Sequence, residues 1–101
     1  MVDFDIVKRE VDALDAAGLL KLGAPQDEYD GESRRIAKIL IVSMTAEQAA
    51  FAMCRVFSNS FGEHYEEKIF VKAAENILAV CRESGYSMKN NFPENIFSQR
   101  F

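Results

Sequence analysis

Apolar residues recur at three- and four-residue intervals along most of this chain, and no segment sustains the alternation of a half-buried strand. That periodicity restricts the fold to amphipathic helices packed on one another. Phe4, Val7, Val11 and Leu14 keep the spacing of one helical face, while Lys8, Arg9, Glu10 and Asp12 occupy the other. The pattern predicts a first helix from about Phe4 to Ala17, capped by Asp3 or Asp5. Gly18 interrupts it, and Leu19, Leu20 and Leu22 follow as a cluster expected to plug the core before Gly23.

The second helix is expected to start after Asp30, with that residue as its N-cap and Glu32 favouring the helix dipole. Its buried stripe is expected to hold Ile36, Ile39, Leu40 and Val42, with Arg34, Arg35 and Lys38 outside. Ser43-Met44 connects it to a third helix opened by Thr45-Ala46-Glu47-Gln48, which reads as a capping box. Ala49, Ala50, Met53, Val56 and Phe57 line that helix, and Gly62 sits where a left-handed C-cap belongs. A fourth helix is expected from about Tyr65 to Glu83, with Ile69, Ala73, Ile77 and Val80 or Cys81 on one face, widened by Phe70 and Leu78. Phe51, Met53, Phe57, Phe61 and Phe70 recur at helical spacing and read as core.

Tyr86 to Phe101 has no clear period but contains three Phe. Aromatic residues at that density are costly to leave in water, so the segment is expected to pack through Phe92, Ile96 and Phe97. Short connections favour antiparallel helix neighbours. The sequence therefore predicts an all-α fold: one domain over residues 1–101, a compact four-helix bundle with a C-terminal aromatic tail (86–101, irregular or short-helical) packed on it.

A net charge of −4 argues against nucleic acid or an anionic membrane as the main partner, since both reward a basic surface. No apolar run approaches the length needed to span a bilayer, and the N-terminus lacks the apolar core of a signal peptide. Cys54 and Cys81 sit among apolar residues without metal-type spacing and read as buried hydrophobes of a reducing compartment. A cytoplasmic location is the expectation.

The densest chemistry lies in Gly23-Ala24-Pro25-Gln26-Asp27-Glu28-Tyr29-Asp30, followed by Glu32. The oxygens do not follow the spacing of a calcium loop, whose twelfth position would here be Lys38, so no metal is expected. Two readings remain: helix capping with a solvated turn, or a recognition surface in which Asp27, Glu28, Asp30 and Glu32 meet Lys or Arg of a partner and Tyr29 supplies contact area. His64, the only histidine, stands in a charged loop with no nucleophile or second base tied to it by sequence. Cys54 and Cys81 lack an activating base. No catalytic residues, cofactor or enzymatic activity are expected.

Asp15-Ala16-Ala17-Gly18-Leu19-Leu20, then Gly23 to Asp30 and Glu32, resembles a pattern recurring in small bacterial helical proteins of the DUF1871-like type. There a Trp and a Pro stand where this chain has Leu14 and Ala16. The resemblance covers about Leu14 to Phe61. It implies a short all-helical protein without an assigned enzymatic activity. Some similar sequences look like immunity proteins that neutralise toxins of contact-dependent or polymorphic systems. The functional expectation is thus a non-catalytic binding domain, an immunity protein occluding a basic toxin, most naturally a nuclease domain. Asp27, Glu28, Tyr29, Asp30 and Glu32 are its partner-binding residues. The alternative is a structural or regulatory module that self-associates, with Phe92, Phe97 and Phe101 as an exposed anchor.

Overall fold

A computed structural model describes residues 2–84, in which there are four α-helices and no strand. The helices are α1 (Phe4–Leu14), α2 (Asp30–Ile39), α3 (Ala46–Phe61) and α4 (Val71–Ser84), and a 3-10 turn (Glu67–Phe70) leads into α4. The expected packing of Phe92, Ile96 and Phe97 lies outside the described residues.

Contacts between elements make each helix antiparallel to the next. Val2 donates its N–H to Ala37 O while Lys8 reaches Asp30, which sets α1 against α2. Arg35 of α2 bonds Ser60 near the end of α3. Arg82 of α4 reaches back to Met44 at the start of α3, and Asn76 of α4 bonds Glu10 of α1 at 3.0 Å. The ring of neighbours closes because α1 also packs on α4.

Local signals set several of the boundaries. The Asp3 carboxylate accepts the Asp5 N–H at 2.8 Å and caps α1. Thr45 and Gln48 form the reciprocal capping box, at 3.1 and 3.0 Å. Gly62 closes α3 with φ +65°, a left-handed value that costs a residue without Cβ little. Other boundaries differ from expectation. α1 stops at Leu14 rather than Ala17, because Asp15 turns to φ 49°, ψ 54° and its carboxylate accepts bonds from further along the chain. Asp30 is the first residue of α2 and not its cap: the cap position is Tyr29, without a side-chain capping bond, because the Asp30 carboxylate turns to Lys8. Residues 65 and 66 are not helical, so the fourth helical segment begins with the 3-10 turn at Glu67 rather than at Tyr65.

The core holds Val7, Val11, Ile36, Leu40, Met53, Phe57, Phe70, Ile77 and Leu78, each at most 1% exposed. Burying one such side chain stabilises by about 1.5–3 kcal/mol. Ala49, Ala50 and Ala74 are also fully buried and keep neighbouring backbones close. Phe57 is the aromatic hub, with ring centroids of Tyr29, Phe61, Tyr65 and Phe70 at 5.6, 5.7, 6.2 and 5.4 Å. Four residues read as core are instead on the surface: Leu22, Ile39, Phe51 and Ile69. Ile39 ends its helix on the outer face, Ile69 lies in the 3-10 turn, and Phe51 lies within reach of the Arg55 guanidinium, 5.8 Å from its ring. Among the described residues no helix is long and apolar enough to cross a membrane.

Candidate functional site

The connection from α1 to α2, residues 15–29, carries the acidic turn, and its shape is fixed by polar groups on its inner side. Asp15 leaves α1 in the left-handed conformation and accepts the backbone N–H groups of Leu20 at 3.1 Å and Lys21 at 3.0 Å. The Tyr29 hydroxyl donates to the same carboxylate at 2.5 Å and accepts the Leu19 N–H at 3.2 Å. One carboxylate and one phenol thereby tie both ends of the connection together. Gly23 follows with φ +99°, which an L side chain rarely adopts.

These contacts shift the titration of both groups. The hydrogen bond from Tyr29, aided by the two backbone N–H groups, holds the Asp15 carboxyl below its ordinary value against a smaller opposing effect of burial. Burial first, and the Asp15 hydrogen bond second, push the Tyr29 phenol up to about 12.

A second clamp comes from α1. The Lys8 ammonium donates to Asp30 Oδ1 at 2.7 Å, to Gln26 O at 2.8 Å and to Asp12 Oδ2 at 2.9 Å. All three donors of the ammonium are used, so the group is held as a cation. The hydrogen bond to Asp30, then that to Asp12, raises its pKa.

The expected partner-binding residues thus separate into two sets. Asp27 and Glu28 are exposed and make no ion pair among the described residues. Asp30 and Glu32 are half-buried and committed to Lys8 and to Arg35, at 2.7 and 3.4 Å. Tyr29 is fully buried against Phe57 and Phe61, so its ring supplies core packing and has no area to offer a partner. A tyrosine beside three carboxylates looks like a docking residue in sequence; its ring is drawn inward because Asp15 provides a buried acceptor for the hydroxyl.

Sequence reasoning passed over Asp15 and Lys8 as site residues. Lys8 and Asp12 at i, i+4 were a legible pair, and an Asp directly before a Gly-interrupted apolar cluster suits a left-handed turn. Nothing local connected either to residues 26–30.

The other candidates are dispersed. His64 is exposed, and Cys54 donates its thiol to Tyr65 O at 3.1 Å. Both line an open groove with Phe51, Arg55 and Ser58. Cys81 is buried, and both thiols are free. Among the described residues no group of His, Cys, Asp and Glu converges as a metal site would require. No protein-family model matches the chain, and neither a curated protein nor a solved structure matches it.

Proposed function

We propose that this chain is a non-catalytic protein-binding domain, a four-helix bundle that presents the turn at Asp27 and Glu28 to a basic partner. In its finer form the reading is that of an immunity protein bound to a basic toxin domain, as the resemblance over Leu14 to Phe61 implies. The observation that supports it is the contrast within the turn. Lys8, Asp15 and Tyr29 satisfy and immobilise the inner side, while the carboxylates of Asp27 and Glu28 remain exposed without an ion pair among the described residues. A surface already held in shape loses less conformational entropy on binding, and exposed carboxylates steer and select a cationic partner.

The test is affinity capture from the native cell at low and moderate salt, with wild type and the Asp27→Asn/Glu28→Gln double variant as baits. The expected result is a basic protein retained by wild type, weakened by salt and lost with the double variant. A carboxylate removed from a desolvated pair costs about 2–5 kcal/mol of binding. The substitutions themselves are expected to change stability by no more than about 0.5 kcal/mol, since both sites are exposed. Retention that ignores the two carboxylates would remove the support for this turn as the docking surface.

Self-association is the second reading. Phe51, 52% exposed, and Leu22, 83% exposed, favour it as apolar area on the surface. A molecular mass that stays monomeric at high protein concentration speaks against it.

A further inference from the structure

We propose that the groove between α3 and residues 64–68 is a second docking site, and that it takes the extended C-terminal end of a partner peptide whose last residue is aromatic. The groove holds about 610 Å³. One wall is a single stripe of α3, with Phe51, Arg55 and Ser58 at i, i+4 and i+7. Residues 64–68 form the other wall, and the two are joined where the Cys54 thiol donates to Tyr65 O at 3.1 Å. Neither Asp27 nor Glu28 lines the groove, so the site stands apart from the acidic turn.

The occupant follows from the groups that the groove leaves unmatched. Lys68 pairs with Glu66 at 3.2 Å. Glu67 opens the 3-10 turn, where free amide groups favour a carboxylate. Arg55 is exposed and makes no ion pair among the described residues, although the chain as a whole is acidic. Its guanidinium lies 5.8 Å from the centre of the Phe51 ring, which is itself 52% exposed. An unmatched cation and an open ring therefore stand side by side, and an occupant has to bring an anion and an apolar group equally close together. A C-terminal aromatic residue does so, because its carboxylate and its side chain hang from one Cα. The guanidinium fork suits a carboxylate bidentately, and the Ser58 hydroxyl adds a donor one turn along. The opposite wall favours a peptide over a free acid. Glu66 is extended, at φ −81° and ψ 134°, and the N–H groups of His64, Tyr65 and Glu66 have no backbone partner among the described residues. An extended peptide backbone laid beside them can pair with them.

The test is an amide NMR titration of the full chain with the probe N-acetyl-Ala-Ala-Phe at about 0.15 M salt. The expected result is saturable shifts at residues 51–58 and 64–66. The probe with its C-terminus amidated, and wild-type probe on Arg55→Met, each bind about tenfold more weakly. Phe51→Ala also weakens binding, and both variants keep the helical circular dichroism, since both sites are exposed. Arg34→Met removes a guanidinium 5.3 Å from the Phe4 ring on another face and binds the probe as wild type does. N-acetyl-Phe, which lacks the preceding backbone, binds several-fold more weakly than the tripeptide. Equal affinity for the amidated probe would overturn the proposal, as would the absence of saturable shifts. Equal affinity for N-acetyl-Phe would overturn it in favour of a free aromatic acid. Shifts at Phe51 produced by protein concentration alone would overturn it in favour of a second copy of this chain.

Discussion

Two connections each send a tyrosine against the same phenylalanine, and they treat the hydroxyl oppositely. Tyr29, before α2, and Tyr65, before the 3-10 turn, place their rings 5.6 and 6.2 Å from Phe57. The Tyr29 hydroxyl donates to Asp15 and accepts from Leu19. The Tyr65 hydroxyl is buried with no hydrogen-bond partner; Glu63 acts on its titration, but no well-formed bond joins them. Ring burial is therefore common to both connections, and the difference lies in polar satisfaction. A buried hydroxyl with partners specifies the path of the chain around it, whereas one without partners costs desolvation and specifies nothing. The long connection with the acidic turn is the one that is specified.

The comparison is broken most severely by Asp15→Ala. It removes the acceptor of Tyr29, Leu20 and Lys21 and leaves Ala in a left-handed conformation. A loss of about 3 kcal/mol is expected, read as a lower urea midpoint at unchanged slope. Tyr29→Phe keeps the ring on Phe57 but orphans the Leu19 N–H and one bond of the carboxylate, for about 1–2 kcal/mol. In the double variant the two losses are expected to fall short of their sum, since both remove one shared bond. Strict additivity would show that the bond does not couple the two ends of the connection.

A pH series sharpens the same contrast. Asp15 has a folded pKa below its ordinary 3.8, so its contribution is complete above that value and is lost as the pH falls through the lowered one. Tyr29 moves the other way, from 10.0 to about 12, so its contribution is complete below 10.0 and is lost as the pH rises towards 12. Lys8, raised above 10.5 chiefly by its bond to Asp30, adds to the alkaline loss. Urea midpoints are expected to fall at both extremes in wild type. The acidic fall shrinks in Asp15→Asn and the alkaline fall shrinks in Tyr29→Phe. Equal alkaline falls in wild type and Tyr29→Phe would show that the Tyr29 phenol does not contribute.

The helices were legible in the sequence because their signals are local. Thr45 with Gln48, Gly62 after Phe61, and the spacing of Val7, Val11, Met53 and Phe57 involve residues at most sixteen positions apart within one element. Parts of the site were legible as residue types, but residue type left open whether the acidic turn is exposed or tucked against the bundle; in the structure Asp27 and Glu28 are exposed. Tyr29 could not be placed by pattern, because its orientation depends on Asp15, fourteen residues earlier, and on Phe57 from a different helix. Asp30 reads as a cap by position, yet Lys8 of α1 competes for it across the helix pair. Ile39 and Phe51 satisfied the apolar period and still face outward, because the period gives a stripe wider than the contact each neighbouring helix makes.

The smallest effect is expected at Tyr65. Tyr65→Phe keeps the ring contacts with Phe57 and Phe70 and deletes a hydroxyl that is buried without a partner. No other group is orphaned, because Cys54 bonds the Tyr65 backbone oxygen and not its side chain. Burial, with Glu63 second, also raises the Tyr65 phenol, so its removal relieves part of the alkaline loss. The variant is expected to lie within about 0.5 kcal/mol of wild type or slightly above it. A loss as large as that of Tyr29→Phe would mean that the second hydroxyl finds a partner in solution, an ordered water or Glu63, and that both connections are specified in the same way.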